Sequence, residues 1–184
     1  MYQKEAEDLK IFKNIGNPWG CQINGTLVTP KAIRFHSNMM QIKNLLSQCN
    51  SKRVGEIGGG YGGLAAYMLH HIDGVKYVDF DLPETLTLAA YHLLLNFPEK
   101  KIFLYGEETF ASNKVDDYDV HLLPNYLIEK FPSSSVDVFF NSFSLSEMPP
   151  ETMQAYLDEI HHLSLHFFLH NNMDRLGVIN RGFE

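Results

Sequence analysis

Several acids, a histidine and a cluster of glycines are the residues of this chain with chemistry to offer. Glu56 lies near the end of a short apolar run, Arg53 to Ile57, and glycines follow it at 58, 59, 60, 62 and 63. Asp81 closes a second run, Lys76–Asp81, about 20 positions past the glycines, where nucleotide folds place an acid. Glu147 ends the serine-rich stretch Asn141-Ser142-Phe143-Ser144-Leu145-Ser146-Glu147, and His170 follows the apolar run Leu165–Leu169. Glycines let a backbone take positive φ angles and let a ligand approach the main chain without meeting a Cβ. The apolar, helically spaced residues Leu64, Ala65, Ala66, Met68 and Leu69 come next, so a helix start adds unpaired N–H groups. A carboxylate at the end of the neighbouring strand can accept both ribose hydroxyl protons. Strand, glycine loop, helix and acid together predict a nucleotide-type binding turn.

Two ligand classes use such a turn. Gly58-x-Gly60-x-x-Gly63 fits the dinucleotide fingerprint. The same stretch, Glu56-Ile57-Gly58-Gly59-Gly60-Tyr61-Gly62, also fits the acidic-x-Gly-x-Gly-x-Gly turn that binds S-adenosylmethionine. Glu56 favours the second. An acid there would lie under a pyrophosphate if the ligand were NAD, whereas adenosylmethionine has an ammonium group and no phosphate.

The elements that must position these residues can be read in order. Residues 2–15 carry Tyr2, Ala6, Leu9, Phe12 and Ile15 at helical spacing, and Asn17-Pro18-Trp19-Gly20 breaks that helix. Asn24-Gly25 between two short apolar runs is a hairpin signal. Thr29-Pro30 reads as an N-cap and first helical position. The helix is expected to reach about Cys49, with Ile33, Met40, Ile42, Leu45 and Leu46 in the core. Residues 1–50 are thus expected as a helical and hairpin cap, with Arg34 or His36 as residues that could face a substrate, and 51–184 as the binding domain.

Lys76–Asp81 is the second strand, and Leu82-Pro83-Glu84 turns it into a helix to about Phe97. Asp79 is expected on the face opposite Asp81 and is the weaker ribose candidate. Ile102–Tyr105 and Val120–Leu123 compete for the third parallel strand. Val120–Leu123 is preferred as the strand that meets an adenine, because Pro124 ends it and a short helix, Tyr126 to Phe131, follows. Val136–Asn141 is almost wholly apolar, as central parallel strands are. Asn141 leaves its carboxyl end, the edge where open α/β sheets bind ligands. A helix from Pro149-Pro150-Glu151 and the strand Leu165–Leu169 complete the pattern, an α/β Rossmann-like sheet with helices on both faces.

Composition narrows the partners. The 184 residues, 45% hydrophobic, suffice for a full core. Fifteen Lys and Arg against 22 Asp and Glu give a net charge of −7, and no basic block offers itself to nucleic acid. Cys21 and Cys49 show neither metal spacing nor a disulfide framework, which suits free thiols in a cytoplasm. No apolar run approaches the ~20 residues of a membrane span. A small hydroxylated molecule is the expected partner.

Glu56-Ile-Gly-Gly-Gly-Tyr-Gly-Gly-Leu, then Asp81-Leu-Pro-Glu, then Asn141-Ser-Phe-Ser-Leu-Ser-Glu-Met resembles the class I S-adenosylmethionine-dependent methyltransferases. Within them it is most similar to the bacterial sugar O-methyltransferases, over roughly residues 50–172. The resemblance implies Glu56, Gly58, Gly59, Gly60, Asp81, Leu82, Leu123 and Asn141 as cofactor-binding residues, with adenosylmethionine as cofactor. The Asp-Leu-Pro block is also similar to that of plant-type small-molecule O-methyltransferases, whose catalytic histidine after the fourth strand has no counterpart at Ser144–Glu147. The Asn/Asp-Pro-Pro-aromatic tetrapeptide of amino-directed DNA methyltransferases is absent, so oxygen is the expected target. Only 15 residues follow Leu169, too few for the helix and antiparallel hairpin of a seven-stranded sheet, so an abridged fold or a truncated chain is expected.

A hydroxyl acceptor needs a base within hydrogen-bond reach. Glu147 is the first candidate and His170 the second, while helix-start charge accounts equally well for Glu147. His161-His162 suits a helix end, His121 reads as structural, and no metal site is expected. An NAD-dependent oxidoreductase, for which no Tyr-x-x-x-Lys pair is present, and a catalytically silent adenosylmethionine-binding domain are the competing readings.

Overall fold

The structure, a computed structural model, describes residues 8, 9 and 18–173. The expected helix over 2–15 lies almost wholly outside them. Where the chain is first continuous, β1 (Cys21–Ile23) and β2 (Thr26–Val28) form an antiparallel hairpin. Its turn places Asn24 at φ 50° and Gly25 at φ 81°, the positive angles a two-residue hairpin loop demands. Helix α1 (Pro30–Leu46) follows. The Thr29 hydroxyl accepts the Ala32 N–H at 3.0 Å, and Pro30 occupies the first turn as expected.

The helix ends three residues earlier than expected, and its buried stripe has a different phase. Ala32, Met39, Ile42 and Leu46 face the core, whereas Ile33 and Met40 are 54% and 51% exposed. A small alanine and one of two adjacent methionines define the inner face. Hydrophobicity alone could not choose between neighbours of equal apolar character.

Among the described residues, six strands make the main sheet: β3 (Arg53–Ile57), β4 (Lys76–Asp81), β5 (Ile102–Leu104), β6 (Val120–Pro124), β7 (Val136–Ser142) and β8 (Ser164–Asn171). Their order is β5-β6-β4-β3-β7-β8, and every pairing is parallel. Both competing middle segments are strands. Val120–Pro124 lies directly against β4, and Ile102–Leu104 takes the outer edge beyond it. Connections run through α2 (Gly63–His71), α3 (Pro83–Asn96), a 3-10 turn Asn125–Lys130, α4 (Ser144–Glu147) and α5 (Pro150–Leu163).

Strand alternation divides the core in two. Met39 and Ile42 of α1, Leu64 and Met68 of α2 and Leu93 of α3 pack with Val54 and Tyr77 on one face. Phe80, Phe139, Leu127, Phe131, Ile160 and Leu163 fill the other. Side chains of this size contribute about 1.5–3 kcal/mol each when fully buried. Helix α1 therefore shares a core with the sheet. Among the described residues, no helix is long and apolar enough to cross a membrane.

Candidate functional site

Because every strand of the sheet is parallel, their carboxyl ends share one edge. The glycine loop leaves β3 there, Asp81 ends β4, and Ser142 and Asn171 end β7 and β8. Gly58, Gly60 and Gly62 all have positive φ, at 76°, 65° and 76°. The Gly58 N–H donates to the Phe80 carbonyl at 3.0 Å, which pins the loop to the end of β4. A Cβ on Gly58 would sit 2.6 Å from Ser144, and one on Gly59 2.4 Å from Asp79 Oδ2. Among the described residues a Cβ on Gly60 meets nothing within 4 Å, so this is the side of the loop on which a ligand can lie against the backbone.

Two acids of β4 hold the loop. Asp79 Oδ1 accepts the Gly59 N–H at 3.0 Å, and Asp81 Oδ2 accepts the Gly60 N–H at 2.8 Å. Asp81 Oδ1 also takes the Leu82 N–H at 2.7 Å, but Leu82 is itself the N-cap of α3 and that helix start receives no side-chain cap bond, so Asp81 braces the turn without capping the helix. Each carboxylate oxygen has a second lone pair for a further donor. The expectation that Asp79 faces away from Asp81 is corrected: residues two apart on a strand share a face. Glu56 joins them as the register partner of Asp79 on β3.

The three acids differ in depth. Glu56 and Asp79 are buried, at 4% and 1% exposed. Burial pushes the Glu56 carboxyl up to about 7, while the Tyr77 hydroxyl, which donates to it at 2.5 Å, pulls in the opposite direction. Burial, then the negative charges of Glu56 and Asp81, raise Asp79 well above the ordinary carboxylate range. Its Oδ2 is buried and has no hydrogen-bond partner among the described residues. Asp81, nearer the surface, is raised by burial and lowered by its two backbone N–H bonds. Sequence reasoning missed Tyr77, whose part depends on the β3–β4 register, and undervalued Asp79 by placing it on the wrong face of its own strand.

Asn141 is wholly buried at the end of β7 and ties the neighbouring ends together. Its Nδ2 donates to the Ile57 carbonyl at 2.9 Å and to Ser144 Oγ, and its Oδ1 accepts from Asn172 Nδ2 at 2.8 Å. Ser144 Oγ donates to the same Ile57 carbonyl. The amide of Asn141 is thus spent on positioning the β3, β7 and β8 ends. Phe143 follows with φ 70°, an outlier for an aromatic residue, held by its N–H to the Asn171 carbonyl at 2.9 Å. The Arg34 guanidinium of α1 lies 5.3 Å from the centre of the Phe143 ring. His36 packs instead against His71 and Tyr67.

Glu147 is exposed at the last position of α4, and His170 is exposed and stacked on Phe168 at 5.2 Å. Leu82 is exposed between Asp81 and α3, whereas the Leu123 side chain is fully buried beside its register partner Phe80. Burial takes the His121 imidazole down to about 4, and Phe103 stacks on it at 5.5 Å, in keeping with a structural role. His161 and His162 are exposed in the last turn of α5. A cleft of about 580 Å³ lies between the hairpin, α1 and α3, lined chiefly by Trp19, Phe35, Tyr61, Tyr67, Leu88 and Tyr91.

No family model and no curated protein matches the sequence. Solved structures do resemble it. A proposed RNA methyltransferase from Pyrococcus horikoshii superposes with a TM-score of 0.55 at 16% identity, over 100% of this chain and 79% of that one. A proposed O-methyltransferase from Nostoc punctiforme gives 0.50 at 12% identity, over 73% and 35%. Mitomycin 7-O-methyltransferase gives 0.49 at 17% identity, over 79% and 41%. The chain spans 41%, 37% and 35% of three O-methyltransferase structures it resembles, well under two thirds of each. The fold is the Rossmann-like fold of methyltransferases.

Proposed function

We propose that the chain binds S-adenosylmethionine at the glycine loop and transfers its methyl group to a hydroxyl oxygen of a sugar or similar small metabolite in the cytoplasm. One observation carries the cofactor reading. Glu56, Asp79 and Asp81 gather beneath and beside a loop whose Gly60 face is open. Negative charge on Asp81 would repel a pyrophosphate, and a cationic ligand draws the buried Glu56 and Asp79 toward their ionised forms, which suits a ligand bearing a sulfonium and an ammonium group. The similar structure from Nostoc punctiforme is described as a proposed O-methyltransferase, which agrees with this reading. The net charge of −7 favours a small acceptor over RNA.

The sulfonium makes its own methyl electrophilic. The residues of the chain then have to hold the acceptor oxygen in line, exclude water and remove a proton. Asp81 would take the ribose hydroxyls with its remaining lone pairs, Gly58, Gly59 and Gly60 would admit the amino acid end, and Leu82 would border the adenosine. Arg34 and Phe143 stand where α1 meets this edge and would close over the methyl. Glu147 is the first candidate for the base and His170 the second.

Calorimetric titration of the chain with S-adenosylhomocysteine and, separately, with NAD tests the cofactor. Micromolar binding of the first alone supports the reading; binding of NAD alone overturns it. Methyl transfer to a panel of sugars, measured for the parent, Glu147→Gln and His170→Ala, tests the rest. Cofactor binding without transfer to any hydroxyl would favour a silent binding domain.

A further inference from the structure

At the opposite edge of the sheet, three residues distant in sequence converge. Cys49 follows α1, Asp137 is the second residue of β7, and His166 lies on β8. One ligand atom from each lies within 4.8 Å of the others. A β-bulge brings them together. Val136 pairs with Ser164 but Val138 pairs with Phe167, so two residues of β8 stand opposite Asp137 alone. Bulges of this kind re-aim a side chain, and here His166 Nε2 comes to 3.9 Å from Asp137 Oδ1.

Asp137 carries the second, independent observation. Its side chain is 2% exposed. Oδ2 accepts from Ser51 Oγ at 2.6 Å and from the Arg53 N–H at 2.8 Å. Oδ1 points toward His166 and receives no hydrogen bond among the described residues. The guanidinium of Arg53, on the neighbouring strand β3, is engaged elsewhere, pairing with Asp116 at 2.7 Å. A buried carboxylate is costly unless it is paired or coordinates a metal. Among the described residues, the only cationic group that can reach Asp137 is the imidazole of His166, and only when protonated.

The geometry points to a zinc-type metal site formed by the Cys49 thiolate, the Asp137 carboxylate and the His166 imidazole. Sulfur, nitrogen and oxygen donors in one cluster suit Zn²⁺, whose bonds of about 2.0–2.3 Å set tetrahedral ligand atoms roughly 3.3–3.8 Å apart. The Asp137–His166 separation is close to that spacing, and the exposed imidazole and the partly buried thiol can close on the fixed carboxylate. Water completes the coordination. The site lies five residues down β7 from the glycine-loop edge, roughly 16 Å at strand rise, so it acts on structure and not on the transferring methyl. It fastens the edge strand β8 to the end of α1. The Cys49 thiol, raised above its ordinary value by burial and then by Asp137, gives up its proton to the solvent as the metal binds.

The test uses the full chain, reduced and stripped with a chelator, titrated with Co²⁺ and Zn²⁺. One Co²⁺ per chain is expected, with the intense near-ultraviolet absorption of a cobalt–thiolate bond, displaced by Zn²⁺. Calorimetry of Zn²⁺ in buffers of different ionisation enthalpy should show about one proton released per ion. Cys49→Ser should abolish the cobalt–thiolate band, and His166→Ala should weaken binding roughly tenfold or more. Both positions are at least partly exposed, and circular dichroism checks that the variants fold. Absence of the band in the parent chain overturns the site, as does a band that survives in Cys49→Ser. Binding unchanged in His166→Ala also overturns it, because the metal would then be held by other residues.

Discussion

The Tyr77 hydroxyl donates to the Glu56 carboxylate at 2.5 Å, across the β3–β4 pair and entirely inside the protein. The bond partly offsets the cost of burying an acid one residue before the loop-bearing end of β3. Burial still dominates, and Glu56 titrates near 7 rather than at its ordinary 4.5.

The sign of the resulting pH dependence follows directly. Between about pH 4.5 and about pH 7 the folded chain keeps a proton on Glu56 that the unfolded chain has lost. The stability that the neutral acid allows is therefore present below 4.5 and is lost as pH rises through about 7. At about 1.4 kcal/mol per unit, the loss approaches about 3 kcal/mol. Glu56→Gln keeps an acceptor for Tyr77 and removes the titration. Urea unfolding across this range should show the variant gaining on the parent as pH rises. Parallel curves would contradict the assignment.

Asp81 bridges the Gly60 and Leu82 N–H groups. Asp81→Ala should weaken S-adenosylhomocysteine binding by roughly 1–3 kcal/mol, the cost of losing hydrogen bonds to a charged group. If calorimetry finds the variant as tight as the parent, Asp81 does not hold the ribose.

The glycines of the loop should respond unequally to alanine. Gly60→Ala meets no atom and should cost about 1–2 kcal/mol, from its positive φ alone. Gly58→Ala has the same strain and also runs into Ser144, so its urea midpoint should fall further. Ligand binding should show the opposite emphasis, because the Gly60 methyl would occupy the open face. Equal midpoints for the two variants would show that Ser144 yields without cost.

Asn141→Ala should destabilise the chain by about 3 kcal/mol, since it strips partners from buried polar groups. Ser144→Ala, which leaves Asn141 bonded to the Ile57 carbonyl, should cost about 1 kcal/mol. Thermal or urea unfolding of the pair checks the ranking.

Much of the fold was legible because local signals agreed. Asn24-Gly25 demanded positive φ angles, Thr29-Pro30 capped a helix, and Val136–Asn141 was almost wholly apolar, as strands covered on both faces are. The phase of α1 was not legible. Ile33 and Met40 are as apolar as any core residue, and only packing against α2 and β7 selects Ala32 and Met39 in their place.

By itself the sequence determined the parallel α/β order, the glycine turn after Glu56 and the acid at the end of the next strand. These depend on residue type and on spacing within one or two elements. Tertiary structure decided everything that depends on register between strands. It set Asp79 beside Glu56, gave Tyr77 its bond to that acid, and placed Arg34 over Phe143. The bulge that turns His166 toward Asp137 belongs here too. Strands adjacent in the sheet are tens of residues apart in the chain. Which side chains meet across them is fixed by hydrogen-bond register and close packing, neither of which leaves a local mark in the order of residues.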